Sequence, residues 1–69
     1  MHKIEFVTMN YGICYIQNLP VIPRAGDIVE IENLNNREYK VICVCFILKT
    51  NGDYQVRVYL RPYNRNNEM

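Results

Sequence analysis

An all-β chain folding as one small five-stranded barrel is what this sequence predicts, on three observations. Apolar residues recur at every second position through several segments and almost nowhere at helical spacing. Asn, Gly and Pro punctuate those segments where a sheet needs turns. Finally, 69 residues leave room for one domain, and 49% hydrophobic content with only 22% charge separates the chain from disordered sequences. A chain this short buries only about 60% of the surface its unfolded form exposes, so its stability is marginal and partner surface or a very regular sheet must help.

Residues 3–9 make the first strand, with Ile4 and Phe6 alternating with Lys3, Glu5 and Val7 up to a tight turn at Asn10-Tyr11-Gly12. Residues 13–17 form the second. Residues 18–26 carry Pro20 and Pro23, neither of which can donate to a ladder, so this stretch is an ordered loop. Residues 27–32 alternate cleanly, Val29 and Ile31 on one face and Glu30 and Glu32 on the other. After a turn over residues 33–36, residues 39–49 form the longest strand.

Thr50-Asn51-Gly52-Asp53 is the best local signal, because Asn-Gly tolerates the positive φ angles of a two-residue type I′ hairpin. With Asn51 and Gly52 as the loop, Thr50 faces Asp53, and counting outward pairs Ile47 with Val56, Cys45 with Val58 and Cys43 with Leu60 as a core face. The opposite face then holds Ile42, Val44, Phe46 and Leu48 beside Gln55, Arg57, Tyr59 and Arg61. Either a bent strand passes through a barrel and the N-terminal strand covers those side chains, or Val44, Phe46 and Leu48 form a binding or self-association surface. Pro62 ends the fifth strand, giving one domain over residues 1–62 and a polar tail over residues 63–69 that is expected to be loose.

The run Pro23-Arg24-Ala25-Gly26-Asp27-Ile28-Val29-Glu30-Ile31, then a turn and Tyr39-Lys40-Val41, resembles small SH3-like barrels, in which a loop ending in Gly-Asp enters a strand of alternating apolar residues. Gly26 can turn the chain sharply, Asp27 can hydrogen-bond the backbone there, and Val29 and Ile31 enter the barrel. The strand count and the tight hairpin extend the resemblance over most of residues 3–62. Short stand-alone chains of this kind are also similar to accessory proteins of bacteriophages and mobile elements. The resemblance implies a fold and assigns no functional residue, because such barrels host peptide, nucleic-acid and oligomer interfaces alike.

Composition excludes several chemistries. The chain has no serine, so serine hydrolysis is ruled out, and its one histidine, His2, lies at a chain end that is usually mobile. The three glycines are isolated in three different turns and cradle no phosphate. Glu30 and Glu32 share a solvent face rather than converging as an acid–base pair. Cys14, Cys43, Cys45 and His2 lack zinc-ligand spacing, and an odd cysteine count fits reduced thiols, with Cys43 and Cys45 read as small core residues. No metal or cofactor is expected, and no enzyme. The longest apolar stretch, residues 41–48, is far short of the roughly 20 residues of a membrane span, and the start is unlike a signal peptide, so a cytoplasmic protein without membrane contact is expected.

Arg57, Tyr59 and Arg61 share one strand face, with Tyr63 following, and guanidinium groups around a tyrosine ring suit a phosphate, a carboxylate or a stacked base. Against them, residues 27–38 carry four acids and Arg37. The sequence therefore predicts a non-enzymatic binding module. It self-associates, and it blocks a partner protein or sequesters a small anionic, nucleotide-like ligand, as a phage-type host-interference factor would. Val44, Phe46 and Leu48 are the expected interface, and Arg57, Tyr59, Arg61 and Tyr63 the expected ligand or partner contacts. The alternative is a nucleic-acid-binding SH3-like or OB-like barrel, which the net charge of +1 disfavours.

Overall fold

The computed structural model describes residues 1–8, 12–32 and 37–63. They form five strands and no α-helix: β1 (His2–Thr8), β2 (Gly12–Leu19), β3 (Ile28–Ile31), β4 (Arg37–Leu48) and β5 (Tyr54–Pro62). The strands make one strongly curled sheet, a half-barrel consistent with a small SH3-like barrel. Their order is β2-β1-β5-β4-β3, with consecutive partners antiparallel and β1 parallel to β5. That one parallel pair follows from counting. In an up-and-down run of five strands the first and last point the same way, so closing the run on itself sets β1 beside β5 in parallel. The ring stays open between β2 and β3.

Curling gathers one face of the sheet into the core. Ile4, Phe6, Ile31, Tyr39, Val41, Val56, Val58 and Leu60 are buried there, with Tyr15, Leu19, Ile22, Val29 and Val44 packed against them. In β1 and β5 the buried residues are strictly every second one, the period that one covered face demands. Ile31 and half-buried Val29 point inward and Glu30 outward, as the alternation of β3 requires. Gly26 has φ of +96°, and the Asp27 carboxylate accepts the Arg24 N–H at 2.8 Å, so the Gly-Asp turn before β3 works as its side chains suggest. His2 belongs to β1, opposite Leu19, and its Nδ1 is hydrogen-bonded to the Tyr54 hydroxyl at 3.0 Å. The turns expected at residues 10–11 and 33–36, and residues 64–69 of the expected tail, lie outside the described residues; Tyr63 is half-buried and its N–H donates to the Glu38 carbonyl at 2.9 Å.

The β4–β5 hairpin corrects the predicted register by one residue. Gly52 N–H donates to the Lys49 carbonyl at 3.1 Å and Lys49 N–H to the Asp53 carbonyl at 2.9 Å. Thr50, Asn51 and Gly52 therefore make a three-residue loop, a turn closed by Gly52 at φ of +94°, in place of a two-residue type I′ turn. Ile47 lies opposite Gln55, Phe46 opposite Val56, Cys45 opposite Arg57, Val44 opposite Val58 and Cys43 opposite Tyr59. Because side chains alternate, one step exchanges the two faces. Cys43 and Cys45 are exposed on the outer face, where the sequence placed them in the core. Val44, Phe46 and Leu48 take the inner face instead. A bulge at Ile42 restores the phase so that Val41 also faces inward, opposite Leu60.

Candidate binding surface

Strand lengths create the surface. Twelve residues of β4 meet four of β3, and β3 pairs only with residues 37–40. Among the described residues, Val41 is the last in β4 with a backbone partner on that side, accepting from Gly26 N–H and donating to the Asp27 carbonyl, both at 2.9 Å. From there to Leu48 no described strand lies beside the outer edge of β4. The hairpin projects past the core, leaving Phe46 54% and Leu48 79% exposed on its inner face. The first of the two predicted arrangements, cover by the N-terminal strand, is absent among the described residues, since β1 lies beside β5 within the sheet.

Between that edge and the β2–β3 loop runs a groove of about 450 Å³, lined by Ile22, Pro23, Arg24, Ala25, Cys43, Val44 and Phe46. Its walls are mostly apolar. A second hollow of about 500 Å³ lies on the other side of the same loop, against Leu19, Val21, Ile28 and Val29. Pro20 and Pro23 fix two backbone φ angles in the loop that separates them. From the sequence Pro23 reads only as a loop proline and Ile22 is not singled out, so neither was expected to line a groove. The only signal for them was an apolar pair inside a proline-containing loop, which does not say what it faces.

The basic stripe lies on the other side of the sheet. Arg57, Tyr59 and Arg61 share the outer face of β5, with Val56, Val58 and Leu60 buried behind them. The sequence grouped Tyr59, Arg57 and Arg61 with Phe46, and the sheet separates the two sets by its own thickness. Parallel pairing sets Glu5 directly opposite Arg57, and both Nε and Nη2 of Arg57 donate to Glu5 Oε1 at 3.2 Å. Hydrogen bonding to Tyr59, and then to Glu5, raises the Arg57 guanidinium above its ordinary pKa. Arg57 thus has an internal anion, which the sequence did not reveal because the β1–β5 pairing joins residues far apart in the chain. Arg61 is exposed opposite Lys40 near the far end of the strand, and Tyr63 follows just beyond it.

No three His, Cys, Asp or Glu side chains converge on a metal position among the described residues. No described helix is long and apolar enough to cross a membrane. Comparisons with family models, curated proteins and solved structures give no match to this chain. The functional reading rests on its own geometry.

Proposed function

We propose that this protein is a non-enzymatic protein-binding module whose contact surface is the open side of the half-barrel, the groove between the outer edge of β4 and the β2–β3 loop. One observation carries the reading: an apolar, uncharged strand edge, Val44 to Leu48, has no described strand beside it and borders an apolar groove. Backbone groups along such an edge supply affinity by strand addition, and side-chain pockets for Val44, Phe46 and a partner's apolar residues supply selectivity. Occupying a partner is chemistry that needs no acid–base pair. It suits a cytoplasmic host-interference factor of the phage or mobile-element type that the chain's size and resemblance suggest.

The small-anion reading draws less support, because Arg57 is already neutralised by Glu5. The nucleic-acid reading loses the same cation from a chain whose net charge is only +1. A photo-crosslinking amino acid at position 46, with position 55 on the outer face as control, tests the proposal in the producing cell. Protein adducts at 46 and none at 55 are expected. Adducts confined to 55, or to nucleic acid, would remove the groove as the contact surface.

A further inference from the structure

We infer that the occupant of this groove is a second copy of the chain, its β4 paired antiparallel to the first about a two-fold axis at Phe46. The inference rests on the protein-binding reading above and names its partner. Lys49 N–H bonds to the Asp53 carbonyl, so Lys49 turns its backbone groups toward β5. Antiparallel ladders alternate, so Ile47, Cys45 and Cys43 turn the same way and Leu48, Phe46 and Val44 turn theirs outward. The bulge at Ile42 resets the phase, which is why Val41 again points outward and meets Gly26 and Asp27. Three residues therefore offer one N–H and one C=O each along an edge with no described strand beside it.

A two-fold at Phe46 sets Phe46 against Phe46 of the second copy and Val44 against Leu48 of the second copy. Every one of those outward groups is then paired. Moving the axis to Cys45 would drive the tip of each hairpin into the space that the Gly26–Asp27 turn occupies beside Val41. The axis stands normal to the sheet, so both inner faces stay on the same side. The exposed Phe46 and Leu48 are then covered by an aromatic pair and two aliphatic pairs, the combinations that stabilise adjacent strands.

Charge fits the same arrangement. Residues 41–48 carry no charged side chain, so two copies of this edge do not repel. At each end the hairpin tip of one copy, with Lys49 and Asp53, approaches the turn of the other, with Arg24 and Asp27, so each side offers one cation and one anion. The other two edges are defended. β3 carries Glu30, and β2 is broken by a bulge at Cys14 and ends at Pro20. Among the described edges, residues 44–48 of β4 form an all-apolar run without a charge, a proline or a bulge.

The test uses the full chain in sedimentation experiments on wild type, Phe46→Glu, Phe46→Lys and an equimolar mixture of the two variants. Position 46 is half exposed, so both variants should fold, which circular dichroism checks. Wild type should be dimeric at micromolar concentration, each variant should dimerise at least roughly 100-fold more weakly because like charges face across the axis, and mixing should restore dimers because Glu then faces Lys. A wild-type dimer without rescue by mixing overturns the register. If a variant fails to fold, amide exchange in wild type decides. Protection of Val44, Phe46 and Leu48 that grows with protein concentration supports the pairing, and free exchange at every concentration overturns it. A monomer that still crosslinks through position 46 to a different protein would overturn self-pairing while upholding the binding module, and a monomer with no adduct at 46 would overturn both.

Discussion

Replacing Gly52 with alanine tests the turn that sets the register of the whole β4–β5 hairpin. At φ of +94° an L-residue brings its Cβ against its own backbone, while a Cβ built at Gly52 meets no other atom within 4 Å. The cost is therefore conformational alone, about 1–2 kcal/mol for the left-handed region. A glycine-to-alanine change at a compatible φ would instead stabilise, by roughly 0.4–1 kcal/mol through the unfolded chain, so the sign of the effect is diagnostic. For a domain of this size each kcal/mol moves the melting temperature by roughly 4–8 °C, so a drop of about 4–16 °C is expected in a calorimetric scan. Chemical synthesis with D-alanine at position 52 supplies the mirror experiment and should leave the protein at least as stable as wild type. An L-alanine variant that melts no lower than wild type would refute the three-residue loop and the face assignment built on it.

Leu60→Ala removes a fully buried side chain and should cost about 2–5 kcal/mol, enough to unfold a small domain, whereas Leu48→Ala, at a position 79% exposed, should stay within roughly 0.5 kcal/mol in urea titrations of dilute protein. In a Cys14→Ala background, Cys43 and Cys45 should both react with a thiol reagent without denaturant, and protection of either would return it to the core. Glu5→Gln removes the internal anion of Arg57 and should raise affinity for inorganic phosphate measured by calorimetry if the outer face is an anion site; no binding in wild type or variant would retire that reading. Self-pairing makes folding a mass-action process, so the wild-type melting temperature should climb with protein concentration while that of Phe46→Glu stays flat; parallel behaviour of the two would argue that β4 covers nothing.

Strand existence was legible because period-two alternation is a local signal. Ile4 and Phe6 in β1, Val29 and Ile31 in β3, and the Gly26-Asp27 turn were all readable from neighbours in the chain. The faces of β4 were not. Val41 to Leu48 is apolar at every position, so periodicity cannot say which set points inward, and the choice passed entirely to the hairpin. Asn-Gly fits two loop lengths that differ by one residue, and the wrong one exchanges Cys45 with Phe46. The bulge at Ile42 was likewise invisible, because an extra apolar residue in an apolar run leaves no trace. Val44, Phe46 and Leu48 do share one face, as the sequence grouped them, but on the opposite side of the sheet from the arginines meant to accompany them.

The same ambiguity has a physical counterpart in the folded protein. A strand apolar on both faces costs nothing when buried in the middle of a sheet, but β4 is an edge over the part of its length where β3 stops. Soluble proteins defend such edges with lysine, proline or a bulge. Here the bulge at Ile42 sits where β4 leaves the core, and its effect is to bring Val41 into contact with the β3 turn while leaving Val44, Phe46 and Leu48 with their backbone groups outward. A device that elsewhere ends pairing here divides one strand into a half that meets β3 and its turn and a half with no described strand beside it. Removing the bulge residue would turn Val41 toward β5 and break its two bonds to the β3 turn. The wall beside the β3 turn therefore depends on the inserted residue, whereas the outward groups of Val44, Phe46 and Leu48 are set by the hairpin turn.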